Sequence, residues 1–217
     1  MVNRYLKNYS NQIVQQLLNK GFLSRHCVAI DGSILEGNPE DKQAGWGWDH
    51  INKCYIYGYK IHVIVDTKTE LPLALYFTKA NVHDSQAFKP LYQQVISYDS
   101  RFHIVYLLGD KGYDSSKIRQ ILLHDEVKPI IKAGKTRIKP QYPLWFLEKY
   151  QERISVERFF SRLKKYLDLK QLNIHGITQV KLFSYLISIG MLLIAYLNDQ
   201  IGCCSPRSIK SFIRRWM

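Results

Sequence analysis

The chain has 217 residues, 46% of them hydrophobic and 23% charged, which excludes a disordered or low-complexity protein and allows one sizeable core but hardly two full domains. Lys and Arg total 31 against 18 Asp and Glu, a formal charge of +13. A surplus of that size favours a polyanionic partner, because each neutralised phosphate releases counterions.

In chain order, the first nineteen or so residues are too polar for a secretory leader. Asn11 to Lys20 predicts a short helix ended by Gly21. Cys27-Val28-Ala29-Ile30 predicts a short buried strand that delivers Asp31 at its end. Gly37 to Asn52 is polar, glycine-rich and Trp-containing, and reads as a loop. Tyr55 to Asp66 and Leu71 to Lys79 read as strands joined by a turn. Asn81 to Ser85 reads as a capping region, with His83 part of that local structure, ahead of a helix to about Ile96. A strand over Phe102 to Leu108 leads to Gly109-Asp110. Asp114-Ser115-Ser116 then caps a helix to His124, and Val127 to Ile131 is a fifth strand. Two helices close the chain, Leu144 to Leu169 and Ile177 to Ile201. Leu182 to Asn198 carries no charge, at the lower edge of a membrane span. Its Ser184, Tyr185, Ser188 and Asn198 suit a buried core helix better, so no membrane is expected. Three strands followed by β/α alternation predict one mixed five-stranded sheet flanked by helices, an α/β architecture with the element order of the ribonuclease H-like fold.

Cys27, Cys54, Cys203 and Cys204 include no C-x-x-C, and no histidine pair stands at zinc spacing. Free thiols in a reducing cytoplasm are the simplest account. Three acidic residues stand out by placement instead. Asp31 and Asp110 each follow a strand, where carboxylates can converge at one sheet edge, and Glu157 lies on a helix that can pack beside it. An oxygen-only set of this kind suits Mg²⁺ or Mn²⁺. Taken singly, Asp31-Gly32 reads equally as a hairpin turn, Asp110-Lys111-Gly112 as a turn into a helix, and Glu157 as a surface charge. On a continuous helix, Tyr150, Arg153, Glu157 and Lys164 fall within a stripe of roughly 60°. Val156, Phe159, Phe160, Leu163, Tyr166 and Leu167 fall on an adjacent face. One face packs while its neighbour presents a carboxylate flanked by cations, although an Arg153–Glu157 surface pair satisfies the same spacing.

The Tyr-x2-Arg-x3-Glu-x6-Lys pattern resembles the signature of bacterial insertion-sequence transposases of the DDE type. Val28-Ala29-Ile30-Asp31-Gly32-Ser33, Gly109-Asp110-Lys111-Gly112-Tyr113-Asp114, Tyr57-Gly58-Tyr59-Lys60-Ile61-His62 and Ala80-Asn81-Val82-His83-Asp84-Ser85 are similar to the same family. The resemblance covers about residues 22 to 202. It implies a ribonuclease H-like fold on which Asp31, Asp110 and Glu157 hold two Mg²⁺ or Mn²⁺ ions. It also implies that Tyr150, Arg153 and Lys164 position DNA phosphates. The expected reaction is cleavage of double-stranded DNA at transposon ends and attack of the freed 3′-OH on target DNA, by a homo-oligomer in the bacterial cytosol.

Further cations, Lys60, His62, Lys111, Lys132, Lys135, Arg137, Arg158 and Arg162, are candidate backbone contacts, each with a solvated or edge position as its bland alternative. Residues 203–217 form a basic tail that binds DNA or frays. Only about 30 residues precede Asp31, which suggests a helical leader over 1–26 in place of the DNA-binding region the family commonly carries there. The rival readings are therefore a transposition-incompetent DNA-binding remnant and a stand-alone ribonuclease H-like nuclease.

Overall fold

The computed structural model describes every residue except 1, 50–51, 99–102, 135–139, 167–174, 204–206 and 217. Helix α1 (Val2–Asn19) opens the chain. It ends where Gly21 turns to φ 70°, and the amides of Gly21 and Phe22 close the last carbonyls at Leu18 and Leu17. The helix is longer than the sequence suggested. Its Ile13, Val14, Leu17 and Leu18 are buried in the same core as Val28 and Ile30.

Six strands follow the helix, with helices between and after them: β1 (Cys27–Glu36), β2 (Gly45–Asp49), β3 (Cys54–Asp66), β4 (Pro72–Lys79), α2 (Asp84–Ile96), β5 (Tyr106–Gly109), α3 (Ser116–His124) and β6 (Lys128–Ile131). Helices α4 (Leu144–Gln151), α5 (Ile154–Tyr166), α6 (Ile177–Gln200) and α7 (Ile209–Trp216) complete the chain. The strands form one mixed sheet in which β3 pairs with β2, β4 and β1, and β5 and β6 continue beyond β1. The β1–β5 and β5–β6 pairs are parallel and the others antiparallel. Strict alternation splits the core between the two faces. Val28, Ile30 and Ile64 meet α1, α2 and α6, while Ala29, Ile61, Val63 and Val65 meet α5 and its neighbours.

The sheet corrects the five-strand expectation, because β2 arises inside the segment read as a loop. Its glycines hid it: a Cβ on Gly47 would stand 2.6 Å from the Ala80 carbonyl oxygen, so the strand needs glycine where a side chain would normally signal one. Strand β1 is also longer than expected, since Gly32 to Glu36 continue to pair with β3. The helix expected over Leu144 to Leu169 is broken into α4 and α5 at Glu152–Arg153, where Glu152 and Arg153 donate to Lys149 and Tyr150 in tighter turns. At α3 the N-cap Ser115 makes no side-chain cap, and Asp114 instead pairs with Arg119 at 2.8 Å and accepts from Gly134 N at 2.7 Å.

By length and composition α6 is long and apolar enough to cross a membrane. Here Val180, Ser184, Tyr185, Ser188, Ile189, Leu192 and Ala195 are buried against the rest of the fold, while Phe183, Leu186, Leu193 and Leu197 are exposed, so that 44% of its most apolar stretch is buried. The chain's end is not frayed over the described residues: Ile209 of α7 is buried and Asn198 Nδ2 donates to Ser208 O at 3.0 Å.

Candidate active site

Register brings the two strand-borne aspartates together. Ala29 pairs with Leu108 across the parallel β1–β5 ladder, and Asp31 and Asp110 each lie two residues further on. There β1 runs on along β3 while β5 ends in a 3-10 turn (Lys111–Tyr113), opening a crevice at the carboxyl end of parallel strands. Each carboxylate is steadied by a nearby amide. Asp31 Oδ1 accepts from Gly32 N and Asp110 Oδ1 from Gly112 N, both at 2.8 Å.

The third carboxylate arrives on α5. Val156, Phe159, Phe160 and Leu163 are buried against the sheet, which fixes the helix so that its first turn, with Glu157, lies at the Asp31 edge. Arg153, at the α4–α5 break, joins the two. Its Nη1 lies 3.2 Å from Asp31 Oδ2, and its Nη2 pairs with Glu157 Oε1. The Arg153 guanidinium also stands 5.7 Å from the Tyr150 ring, and Lys132 Nζ lies 4.2 Å from the same ring. Tyr150, Arg153, Glu157 and Lys132 thus share one side of the site despite the broken helix. Lys164 is half-buried in the last turn of α5.

Asp84, at the start of α2, is a further carboxylate that sequence reasoning assigned only to the capping region. A Cβ on Gly32 would stand 2.9 Å from Asp84 Oδ1, and one on Gly112 would stand 3.4 Å from Asp84 Oδ2. Asp84 therefore sits between the glycines that follow Asp31 and Asp110. The signal was present in its acidic first-turn position but carries the ordinary meaning of a favourable helix start. Beside it His83 caps α2 as expected, accepting from Ser85 N.

Lys60 Nζ donates to Asp84 Oδ1 and to Val82 O, each at 3.0 Å. His62 is fully buried, shares a hydrogen bond with Thr78 Oγ1 at 2.9 Å, and has Nδ1 3.7 Å from Asp84 Oδ1. Burial pushes its imidazole down to about 4, against the pull of Asp84 and with the push of Lys60, so it is neutral at physiological pH. The expectation that His62 touches a DNA backbone is corrected: it is sealed beneath the site. Lys60 is directed at Asp84 rather than outward.

Two other expected contacts point elsewhere. Arg158 and Arg162 reach the buried Glu70, at 3.1 and 2.5 Å, and Arg207 joins them at 3.5 Å. These pairs tie α5 and the C-terminal segment to the β3–β4 turn. Lys111 is exposed beside Asp110. Lys135 and Arg137 lie outside the described residues.

Electrostatically, Asp31 is the strained member. Burial lifts its carboxyl to about 7; the Gly32 amide and Arg153 oppose this, while Asp110 and Asp84 add to it. The donors are all carboxylate oxygens, the set that a hard divalent cation takes. Asp31 is held as such a ligand would be, oriented by an amide and short of countercharge. Among the described residues no three His, Cys, Asp or Glu side chains stand close enough to enclose an ion; between Asp31 and Glu157 the positive charge is Arg153. The residues fit a divalent ion in chemistry, with Arg153 as the group that must yield for Glu157 to join.

A mixed sheet in this order, with acidic side chains at its parallel edge, is a ribonuclease H-like fold. The fold is shared with a solved piggyBac transposase synaptic complex with hairpin DNA, at TM-score 0.55 and 12% identity over 94% of this chain and 56% of that one. The catalytic core domain of BIV integrase (TM-score 0.42, 17% identity, 89% and 100% covered) and the Mos1 mariner paired end complex with Mn (TM-score 0.42, 10% identity, 88% and 60% covered) also align. This chain thus spans little more than half the length of the piggyBac protein. Comparison with curated protein sequences finds no significant match. The model of the transposase DDE domain matches residues 23–194, and the chain belongs to that family.

Proposed function

We propose that the chain is a DNA transposase that cleaves phosphodiester bonds at transposon ends and joins the freed 3′-OH to target DNA. In this reading Asp31, Asp110 and Glu157 hold two Mg²⁺ or Mn²⁺ ions. The observation that carries it is the convergence of Asp31, Asp110 and Glu157 around Arg153 at the parallel sheet edge. Family membership supports it, as does the hairpin DNA held by the piggyBac protein of the same fold. Double-stranded DNA is then the partner, bound in the bacterial cytosol by a homo-oligomer.

When bound, divalent ions at these carboxylates supply Lewis acidity toward a scissile phosphate and its leaving oxygen. The chain's own part is positional. Amide hydrogen bonds fix one oxygen of Asp31 and one of Asp110, leaving each carboxylate oriented into the crevice. Arg153, released from Asp31 and Glu157, has a planar fork that matches a phosphate in two hydrogen bonds. Tyr150 keeps Arg153 and Lys132 beside that position, and Lys111 adds positive charge next to Asp110, while Lys164 is given a phosphate-positioning part by the family resemblance alone. Lys60 holds Asp84 in place, with neutral His62 buried beneath it.

The test is a cleavage and strand-transfer assay with end-containing DNA. Asp31→Ala, Asp110→Ala and Glu157→Ala should each abolish Mg²⁺-dependent cleavage while the chain stays folded. If two of the three cut normally with unchanged metal dependence, the site is misassigned. Cleavage without joining would favour a stand-alone nuclease.

A further inference from the structure

Helix α6 has two unlike faces. One, with Ser184, Tyr185, Ile189, Leu192 and Ala195, is buried in the fold. The other meets solvent and is apolar along four turns. Phe183 is 39%, Leu186 48%, Leu193 43% and Leu197 47% exposed, with Ile187, Gly190 and Ile194 half-buried between them. At about 100° per residue these positions span roughly 120° of the helix. No charged residue stands between Lys181 and Asp199. A helix with one buried face normally turns polar side chains to water, so this second apolar face is short of a partner. Its open area, on the order of 500 Å², is the size of patch that marks an interaction surface on a soluble chain.

Gly190, at the centre of the stripe, narrows the kind of partner. Glycine is less stable than alanine in a helix interior. Nothing inside the chain asks for it here. Its φ is not in the left-handed region, and a Cβ would meet nothing within 4 Å. A glycine without an internal reason, on an exposed apolar stripe, suits the close approach of another backbone. The larger side chains stand evenly about it: Ile187 and Leu193 are three residues away, Leu186 and Ile194 four, Phe183 and Leu197 seven. The stripe therefore reads alike in both directions, as a face that meets itself across a two-fold axis must. With that axis at Gly190, helical geometry sets Leu193 opposite the second copy's Leu186, and Leu197 opposite its Phe183. A chain of charge +13 attracts unlike partners through acidic surface, and this face has no charge to meet one.

We propose that the solvent-facing stripe of α6 is a contact between two copies of this chain, paired antiparallel about a two-fold axis at Gly190. This goes beyond the proposed function by giving its homo-oligomer a contact surface that forms without DNA or metal. Two such stripes bury about 1,000 Å², the lower limit for a specific interface. The pair is therefore a weak dimer.

The experiment is sedimentation equilibrium of the full chain, free of DNA, at about 0.5 M salt to screen repulsion between like charges. The wild type should reach the mass of two chains with a dissociation constant of about 1–100 µM, as suits a small interface. Leu186→Lys and Leu193→Glu should each weaken the pair at least about 30-fold, because each places an unpaired charge near its centre. Both should keep the circular dichroism of the wild type, since these side chains face water in the single chain. Combined in one chain, the two should restore the dimer, because only an antiparallel pair sets position 186 against position 193 and joins the opposite charges. Gly190→Leu should weaken the dimer about 10-fold or more by holding the helices apart, whereas entry into a bilayer would only gain from the added apolar side chain. A wild-type chain that stays monomeric at about 100 µM overturns the proposal, as does a dimer that both single variants leave intact. Failure of the combined variant to restore the dimer overturns the antiparallel pairing at Gly190. Flotation with neutral phosphatidylcholine vesicles, strengthened by Gly190→Leu, would make this face a membrane contact and equally overturns it. A monomer that cleaves and joins DNA through its carboxylates sinks only the present inference. A dimer without carboxylate-dependent cleavage sinks only the proposed function.

Discussion

Arg153 stands where two of the three candidate ligands meet, and its contacts set the chemistry of Asp31. The Asp31 carboxyl ionises near 7 in the folded chain, chiefly because it is buried, and near 4 in an unfolded one. Between those values the folded chain holds a proton that the unfolded chain has released, so stability falls as pH rises from about 4 to 7. The ion pair with Arg153 offsets part of this cost. Asp31→Asn removes the charge and should stabilise the metal-free chain at pH 8 by about 1–2 kcal/mol, read as a higher melting temperature. Mg²⁺ should raise the melting temperature of the wild type and leave that of the variant where it was. A variant that melts below the wild type at pH 8 in EDTA would show that Asp31 carries no unmet charge.

Among the elements, β3 is the strand on which the rest of the sheet depends, since β1, β2 and β4 all pair with it. Gly58 is its tightest point. A Cβ there would overlap the Leu35 carbonyl oxygen and stand 2.8 Å from Gly37 N, both backbone atoms that cannot swing aside. Gly58→Ala should therefore destabilise the chain by about 2–3 kcal/mol in urea unfolding, with unchanged dependence on denaturant. A loss below about 0.5 kcal/mol, the level of an ordinary surface change, would mean that the strands are not packed this closely. The same glycines explain what the sequence could and could not disclose. The apolar run at Val28 to Ile30 and the β-branched, aromatic stretch from Tyr55 to Asp66 were open to reading, as was the packing face Val156, Phe159, Phe160 and Leu163. These set the fold and the place of α5. Strand β2 was not legible, because Gly45 and Gly47 erase one of its faces and the remaining Trp46 and Trp48 look like loop aromatics. The break at Glu152–Arg153 was equally hidden, as neither proline nor glycine marks it. For the candidate site, strand ends and helix spacing marked Asp31, Asp110 and Glu157 as candidates, and only the resemblance to DDE transposases set them apart from turn and surface residues. Asp84 was not so marked, since its nearness to both aspartates arises from β4 and α2 folding back over β1. The fates of His62, Arg158 and Arg162 depend likewise on long-range partners, Thr78 and Glu70, which no local pattern announces.

For the molecule as a whole, the +13 charge becomes informative only once it is divided by location. Arg162 is turned to the buried Glu70, with 15% of its side chain exposed, and so contributes to holding α5 rather than to the outer field. Lys111 and Lys132 lie instead around the carboxylates. If the chain grips DNA at the carboxylate edge, duplex affinity should fall by roughly 10³-fold or more between 50 and 200 mM salt, as for six or more neutralised phosphates. Lys111→Gln and Lys132→Gln should each lower the slope of log affinity against log salt by about one. Arg162→Gln should leave that slope unchanged and reduce stability by about 2–4 kcal/mol, because it leaves the buried Glu70 short of its nearest cation. Filter binding across the salt series, paired with urea unfolding of the same three variants, separates the two groups. Were Arg162→Gln to change the slope as much as Lys111→Gln, the DNA would have to run over the Glu70 side of α5 instead. The carboxylate edge would then not be the face that the positive charge serves.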